Sequence, residues 1–192
     1  MYCDKVLEEK IVVVRRFTGG GAVYHDLGNI NISVARISGE RLVGVEEIFS
    51  EATGLVSDVI RELGLLPRVE NMNDVVVNGF KVSGSSAAIR SGGYFYHSTL
   101  LVSADISLLK KLIKPRIERV LRGEVSPAKY NPANISMFID ISVRDVLDVI
   151  MRVLEKRFGY VSTRRFSGFE KEMAEKMYRE KYLPKHVYKP WI

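Results

Sequence analysis

Three consecutive glycines follow a pair of arginines and stand close to an aromatic residue and a His-Asp pair, in the stretch RRFTGGGAVYHDLGN at residues 15–29. Glycine permits positive φ angles and lets a backbone approach a bound molecule closely, with successive N–H groups turned toward an anion. Arginines entering the same turn would add charge-assisted hydrogen bonds to a phosphate or carboxylate. The combination predicts an anion-binding site, whereas the glycines alone would indicate only a flexible hairpin.

A lysine in a polar, glycine-containing segment is the second candidate for chemistry. Lys81 lies in the segment GFKVSGSS at residues 79–86, shortly after Asn73 and Asp74. A lysine ammonium can stabilise negative charge that grows in a transition state. Without the Ser-Gly-Ser that follows it, Lys81 would be interpreted as a solvated lysine on a hairpin. His25 and His97 are weaker candidates, because a histidine in a strand or turn is more often structural than catalytic.

Composition restricts the class of protein. The single cysteine, Cys3, excludes an intramolecular disulfide and a cluster of thiolate metal ligands. The charged start MYCDKVLEEK lacks the apolar core of a secretory signal, and no apolar run has the length that crosses a bilayer. We therefore predict a cytoplasmic protein with no membrane partner. The net charge of +6 favours an anionic partner or a solvated basic surface, but no nucleic-acid-reading motif accompanies it, so we expect no nucleic acid.

The elements that must position these residues follow from hydrophobic periodicity and turn signals. Strands are predicted over residues 10–16, 29–37, 74–77, 80–83, 87–90, 94–102 and 135–141. Helices are predicted over 45–65 with a stop near Gly64, over 108–113, and after the N-caps Ser142 and Ser167. Asn78-Gly79 predicts a tight hairpin. Because strands come as hairpins between helices, we predict one α+β domain over residues 1–192, with mixed or antiparallel sheets flanked by helices.

The stretch at 15–29 resembles the signature of lipoate–protein ligases: paired arginines, a triple glycine, a small and then a branched residue, an aromatic, and His-Asp-Leu-Gly-Asn. Asn73-Asp74 with GFKVSGSS is similar to the family's Asn-Asp pair and Gly-x-Lys-x-Ser-Gly-Ser segment. HSTLL at 97–101 is similar to its His-Gly-Thr-Leu-Leu. The motifs keep the family's order and spacing, and the last helix resembles the end of archaeal-type members. The resemblance implies the class II synthetase-like catalytic fold of biotin and lipoate ligases.

The resemblance also implies a reaction, in which lipoate and ATP give lipoyl-AMP and a lysine of a lipoyl domain then attacks the mixed anhydride. Lys81 would be the catalytic residue, and Asp74 would bind Mg²⁺ or orient Lys81. The residues implied to bind ATP or lipoyl-AMP are Arg16, Gly20, Gly21, Ala22, Val23, Tyr24, Asn73, Asp74 and Lys81, with His25 and His97 as further candidates. The cofactors would be ATP and Mg²⁺, with lipoate as substrate. The partners would be lipoyl-domain acceptors (acyltransferase subunits of 2-oxoacid dehydrogenases and the glycine-cleavage carrier protein) and a separate accessory subunit.

The sequence departs from the family's pattern in three places. Only 14 residues precede Arg15, where family members carry a helix and several strands; residues 125–135 lack the family's arginines and keep only Asn134; and Ser98 replaces a glycine. The short N-terminal side leaves three alternatives open. The given chain starts too late, a second chain completes the fold as a homo-oligomer, or the protein is a non-catalytic relic or binding module. A cysteine-dependent octanoyl or lipoyl transferase is disfavoured, because Cys3 lies outside every matching motif.

Overall fold

A single antiparallel sheet forms the centre of the molecule in the computed structural model, which describes residues 1–39, 41–90 and 92–182. The strands are β1 (Asn29–Ile37), β2 (Pro67–Glu70), β3 (Asp74–Val77), β4 (Phe80–Arg90) and β5 (Gly93–Leu101), in the order β1-β5-β4-β3-β2. The helices are α1 (Cys3–Glu8), α2 (Val45–Glu62), α3 (Ile106–Leu112), α4 (Ile117–Leu121), α5 (Val143–Phe158) and α6 (Gly168–Met177). The α+β class is confirmed, with an antiparallel sheet.

Helices α2 and α5 cover one face of this sheet. Their apolar residues recur at helical spacing and pack on strand residues to form the main core, which includes Leu55, Val59, Val82, Leu100, Val146 and Val153. Each fully buried side chain of this size contributes about 1.5–3 kcal/mol of hydrophobic stabilisation. The predicted limits of α5 are confirmed: Ser142 and Asp145 form a capping box at its start, and Gly159 follows its end with a φ of +75°.

Strand β4 contains an irregularity that decides where Lys81 points. Lys81 and Ser83 lie opposite adjacent residues of β3, so Val82 is an extra residue in the strand. Val82 and Ser83 are both buried, while Lys81 lies over the face that Gly84 also presents, since a Cβ at residue 84 would sit 2.8 Å from Lys81 Nζ. Residues three apart in a regular strand point to opposite faces. The β-bulge therefore turns Lys81 away from the helices.

The predicted hairpin and the neighbouring strands are confirmed, with one difference in length. Asn78 and Gly79 have φ angles of +50° and +82°, as a type I′ turn requires, and they join β3 to β4. The strands expected at 80–83 and 87–90 are one continuous strand, because the glycine and serines between them continue the ladder with β5. Helix α2 ends at Glu62, and Gly64 follows with a φ of +79°, close to the predicted stop.

Two predicted strands are wrong. Residues 10–16 belong to no strand of the described sheet, and Val12 and Val14 are 79% and 68% exposed. β-branched residues favour an extended backbone, but an extended segment becomes a strand only when its backbone bonds to a neighbouring strand. In the described part of the chain, the strand that pairs with β1 is β5. Residues 135–141 contain a 3₁₀ turn over Ile135–Met137. The apolar run there reflects burial of Ile135 in the core rather than strand pairing.

Helix α6 forms as its capping signal predicts, but its apolar residues remain exposed. Ser167 and Glu170 make a reciprocal capping box, and a short π-helical turn, Tyr178–Tyr182, follows the helix. Phe169, Met173 and Met177 are 71%, 41% and 44% exposed. Across the described residues, no helix has the length and apolar character that spanning a membrane requires.

Candidate active site

The face of the sheet opposite α2 and α5 carries polar side chains from four strands. The antiparallel register aligns these positions in rows across the strands. One row consists of Asn31, Thr99, Gly84 and Asp74, and the next row consists of Ser33, His97 and Ser86. Neighbouring strands lie about 4.8 Å apart, so the longer row spans roughly 14 Å. This is room for an extended small molecule lying across the strands.

One end of this face holds a carboxylate between two ammonium groups, here called the lysine cluster (Asp74, Lys81 and Lys129). Lys81 Nζ lies 2.6 Å from Asp74 Oδ1, and Lys129 Nζ lies 3.1 Å from Asp74 Oδ2. The Asp74 side chain is 0% exposed, whereas the lysines are 22% and 21% exposed. Burial lowers the pKa of Lys81 below its ordinary value; the Asp74 carboxylate opposes this shift and the Lys129 charge adds to it. The cluster thus presents positive charge from a fixed, buried anchor.

The turn between β2 and β3 secures that anchor. Asn71 Nδ2 donates to Asp74 Oδ2 at 3.1 Å, and Asn71 Oδ1 accepts from the Ser126 backbone N–H at 2.7 Å. The Ser126 hydroxyl donates to the Glu70 carboxylate. Asn71 and Met72 both have positive φ, of +51° and +67°, which is uncommon for residues other than glycine. The turn therefore accepts an unfavourable backbone conformation while it ties Asp74 to the segment that carries Lys129.

Lys129 is a residue that the sequence did not single out. It lies on a short 3₁₀ turn, Pro127–Tyr130, in the segment where the family's arginines are absent. Backbone hydrogen bonds join this segment to β4 on both sides of Lys81: the Lys81 N–H donates to the Asn131 carbonyl, and the Ala133 N–H donates to the Lys81 carbonyl. No local pattern marks Lys129; its only signal is membership of the basic stretch 110–129.

Asp74 had two implied roles, and its contacts favour one of them. Both carboxylate oxygens lie against lysine ammoniums, so the side chain is arranged to orient Lys81 rather than to bind a cation. Within residues 1–39, 41–90 and 92–182, no group of three His, Cys, Asp or Glu side chains is arranged to hold a metal ion. The Asp74 side chain as it stands is therefore a poor ligand for Mg²⁺, which prefers several free oxygen ligands.

The second part of the site is the glycine turn, residues 16–24. The Arg16 guanidinium donates to the carbonyls of Gly19 and Gly21 at 2.8 and 2.9 Å, through the same nitrogen. Gly20 has a φ of +95°, and a Cβ there would lie 2.9 Å from that nitrogen, so only glycine fits without displacing Arg16. The Ser86 hydroxyl donates to the Gly19 carbonyl at 2.8 Å. Arg16, predicted to hold a phosphate, shapes its own turn here.

Both candidate histidines lie beside the glycine turn. The Thr18 hydroxyl and His97 Nε2 are 2.8 Å apart, and the Thr99 hydroxyl and His25 Nε2 are 3.2 Å apart. Desolvation by the surrounding protein and the positive charge of Arg16 lower the pKa of both imidazoles. The neutral rings serve as hydrogen-bonding partners of threonines, and Thr18 is a second residue that the sequence did not single out.

The segment His-Asp-Leu-Gly-Asn at residues 25–29, which ends the glycine-rich motif, has a structural role. Asp26 accepts from the backbone N–H groups of Gly28 and Asp105, both at 2.8 Å. A Cβ at Gly28 would lie 2.3 Å from the Ser103 carbonyl, so this position requires glycine for close backbone packing. Asn29 accepts from the Asp26 N–H at 2.8 Å. His-Asp-Leu-Gly-Asn thus anchors the glycine turn to the end of β5 and the start of α3.

The remaining predicted residues lie at the start of β3 and on the glycine turn. Asn73 exchanges hydrogen bonds with the Ser85 backbone, at 2.7 and 2.8 Å, and so fixes the start of β3. Ala22 and Val23 are exposed on the glycine turn and Tyr24 is partly buried. Ser98, the departure from the family's glycine, is buried and its hydroxyl lies 2.7 Å from that of Ser85. Lys81 and Gly19–Gly21 lie on the same face, since Ser86 contacts Gly19 two residues along β4 from Gly84.

Comparison with known proteins adds an independent finding. The family model described as lipoyl protein ligase A/B catalytic domain matches residues 2–155. A provisionally named lipoate-protein ligase A of Aeropyrum pernix is 48% identical over 69% of this chain, and the match spans 49% of that relative's length. Subunit 1 of the Thermoplasma acidophilum lipoate-protein ligase A is 29% identical over 93% of this chain and 72% of its own.

Solved structures agree with this match. A bi-partite lipoate protein ligase from T. acidophilum, solved as part of a lipoylation system with its E2 lipoyl domain, superposes with a TM-score of 0.81 at 27% identity over 99% of this chain and 77% of its own. A lipoate-protein ligase A bound with ATP gives 0.80 at 26% identity, and a T. acidophilum protein with bound lipoic acid gives 0.79 at 26%. Each of these two matches covers 93% of this chain and 72% of the solved one.

Proposed function

We propose an activity for this chain, which belongs to the lipoyl protein ligase A/B catalytic domain family: ATP-dependent activation of lipoate and transfer of the lipoyl group to a lysine of a lipoyl domain. The observation that carries the proposal is the placement of Lys81 and the glycine turn on one polar face of the sheet. Solved neighbours with bound ATP and with bound lipoic acid give the two ligands that this face would accommodate.

In the first step a lipoate carboxylate oxygen attacks the α-phosphorus of ATP, and pyrophosphate leaves as the mixed anhydride forms. Lys81 would lie between the acyl carbonyl and the α-phosphate, where its ammonium stabilises negative charge that grows during the displacement. Asp74 holds the ammonium at 2.6 Å, so the group is oriented before the substrates arrive. Such preorganisation avoids reorganising the site at the moment of reaction.

In the second step the acceptor lysine attacks the acyl carbonyl, an amide bond forms, and the bond between the acyl carbon and the phosphate oxygen breaks to release AMP. Lys81 is again placed to stabilise charge on the carbonyl oxygen and on the departing phosphate. The glycine turn would supply backbone N–H groups to the nucleotide phosphate and acyl group. Phe17 and Phe95, with ring centroids 5.1 Å apart, would supply apolar surface for the acyl chain.

Mg²⁺ would enter as a counter-ion of the ATP phosphates, which supply the oxygen ligands that it prefers. For the reason given above, we assign it no ligand on Asp74. The partners follow the same proposal. An accessory subunit and a lipoyl-domain acceptor are proposed because the T. acidophilum relative is named subunit 1 and the solved ligase with its E2 lipoyl domain is bi-partite. The basic charge of this chain would speed encounter with an acidic lipoyl domain.

The direct test is calorimetric titration of the chain with lipoyl-AMP, together with a mass-spectrometric assay for lipoyl-AMP made from lipoate and ATP. The parent chain is expected to bind the adenylate and the Lys81→Ala variant to lose most of that binding. Absence of adenylate binding in both proteins, when both remain folded by circular dichroism, would contradict the proposal. Binding without lipoyl-AMP formation, even after addition of an accessory subunit, would instead support the non-catalytic binding module.

A further inference from the structure

The lysine cluster places two ammonium groups on a single buried carboxylate, and the proposed reaction uses only one of them. Lys129 Nζ lies 3.1 Å from Asp74 Oδ2, and Lys81 Nζ occupies the other oxygen. We propose that Lys129 is a second phosphate-binding cation of the nucleotide site, which Asp74 holds in place until a phosphate oxygen becomes its partner. This inference rests on the proposed function, because it requires a nucleotide on this face of the sheet.

The position of Lys129 is built rather than incidental. Its segment is joined to β4 by the hydrogen bonds of Lys81 with Asn131 and Ala133, at 2.9 and 3.0 Å. It is joined to the β2–β3 turn by the Ser126 N–H, which donates to Asn71 at 2.7 Å. Asn71 also contacts Asp74. The backbone on both sides of Lys129 is therefore fixed relative to Asp74 and Lys81, so its ammonium stays within reach of any group bound at Lys81.

The surrounding charges favour an anion as the missing partner. The carboxylate of Asp74 carries one negative charge against the two ammoniums. The Glu70 carboxylate accepts from the Ser126 hydroxyl. An ammonium offers three donors, so Lys129 can contact a phosphate oxygen while it leaves or shares Asp74. Its side chain is 21% exposed, which leaves a path for the phosphate.

The type of cation at residue 129 determines which part of a bound nucleotide it would contact. In the sequence, residues 125–135 lack the arginines that the family's pattern would place there, and Lys129 is the cation that the fold brings to the lysine cluster. An ammonium binds phosphate as a point charge, without the bidentate geometry of a guanidinium. Lys129 is therefore expected to act on the phosphates of the ligand and not on its nucleoside.

The test compares ATP with adenosine, which lacks phosphate, by calorimetric titration of the parent chain, Lys129→Met and Lys129→Arg. Methionine keeps an unbranched apolar stem and removes the charge. Lys110→Met is the matched control, because Lys110 is exposed and its loss changes the net charge equally. We expect Lys129→Met to weaken ATP binding tenfold or more and to change adenosine binding by less than twofold. Lys129→Arg should recover most of the loss, and Lys110→Met should match the parent.

Two results would overturn the inference and leave the proposed function intact. If Lys129→Met weakens ATP and adenosine equally, the role of Lys129 is structural; if it binds ATP as the parent does, Lys129 makes no phosphate contact. Thermal melts of each variant separate loss of folding from loss of a contact. If Lys129→Met unfolds, the ATP and adenosine affinities of Lys129→Arg are compared with those of the parent instead. A parent chain that binds neither ATP nor lipoyl-AMP would overturn both proposals. A phosphate-selective effect of Lys129 without lipoyl-AMP formation, even after addition of an accessory subunit, would support the inference and contradict the enzymatic activity.

Discussion

The lysine cluster and the glycine turn face the same ligand position, but they are held in different ways. The lysine cluster is anchored on a fully buried carboxylate with hydrogen bonds from two neighbouring segments. The glycine turn is held by Arg16, which donates to the carbonyls of its own turn, and by part-buried hydrogen bonds with Ser86 and His97. The first is a preorganised electrostatic device, and the second is a local arrangement that a ligand can reshape.

This difference indicates that the lysine cluster and the glycine turn would have different roles in catalysis and binding. A group that stabilises transition-state charge must be in place before reaction, because reorganisation during the chemical step costs free energy. A backbone turn that closes around a phosphate can form its final hydrogen bonds during binding. Substitutions in the lysine cluster should therefore affect the chemical step or the folded state, and those in the glycine turn mainly ligand affinity.

The largest effect is expected from Lys81→Ala. Removing a preorganised donor to transition-state charge typically lowers kcat by about 10²–10³-fold, and we expect at least that loss in lipoyl-AMP formation. Single-turnover kinetics at saturating ATP and lipoate would measure it, with Lys114→Ala as the control because Lys114 is exposed. A loss that appears only in KM would place Lys81 with the glycine turn and remove the distinction.

Asp74→Asn should lower the stability of the fold. The substitution keeps the side chain's shape but leaves two ammoniums without their buried counter-charge, and we expect a loss of about 2–3 kcal/mol in the free energy of unfolding, measured in urea. Asp58→Asn is a close control, because Asp58 also pairs with two cations, Arg61 and Arg157, but is 43% exposed. That control should lose less than about 1 kcal/mol. Equal losses would show that burial does not distinguish the lysine cluster.

Gly20→Ala should affect the glycine turn alone. Alanine would have to adopt a φ of +95° and would displace the Arg16 nitrogen 2.9 Å away, at a cost of about 1–2 kcal/mol. The expected result is weaker ATP binding, roughly tenfold by calorimetry, with kcat changed less than KM. Gly19→Ala is the matched control, because its φ is not positive and no atom lies within 4 Å of the added Cβ. A similar loss in both variants would point to contact between the ligand and the added methyl group.

Ser86→Ala tests the link between the two parts. It removes the hydroxyl that donates to the Gly19 carbonyl at 2.8 Å, and a hydrogen bond of this kind contributes about 1 kcal/mol. A several-fold rise in the KM for ATP is expected, without a change in kcat. Ser50, which is exposed on α2 and lies outside the polar face, gives the control variant Ser50→Ala, whose kinetics should match the parent's.

The smallest effect concerns pH. Burial and the Lys129 charge lower the pKa of Lys81 below 10.5 despite the opposing carboxylate. The protonated form is therefore lost at a lower pH than for a free lysine, and lipoyl-AMP formation should fall on the alkaline side with an apparent pKa below 10.5. Lys129→Met should move that limb to higher pH, because one of the causes is removed. An unmoved limb in the pH–rate profile would mean that another group controls it.

Local signals predicted much of the fold. The capping residues before α5 and α6 and the Asn-Gly turn between β3 and β4 act within a few residues, so a single sequence contains the whole cause. Residues 10–16 and 135–141 failed for the converse reason. Their β-branched and apolar residues favour extended or buried positions, but pairing into a ladder depends on a neighbouring strand that no local pattern specifies.

The candidate site shows the same contrast between residues that local sequence marks and contacts that only folding creates. Glycines, arginines and Lys81 are marked by unusual local combinations, and the sequence identified them as a group. Lys129 reaches Asp74 across 55 positions of chain, and no residue near it indicates this contact. The roles of Arg16 and His97 also depend on partners brought by folding, the Gly19 carbonyl and the Thr18 hydroxyl. Candidate site residues could be identified from the sequence, whereas the contacts between them could be found only in the three-dimensional structure.

The extra residue in β4 has a consequence for how this gene can change over time. Because Val82 is the residue in excess of the ladder with β3, deletion of that one codon would make the strand regular and leave Lys81 two residues from Gly84, on the same face. Deletion of one residue from the part of β4 that pairs regularly with β5 would instead turn the residues on one side of the deletion to the opposite face of the sheet. Descendants of this sequence should therefore tolerate loss of Val82 more readily than loss of a residue between Ser85 and Arg90.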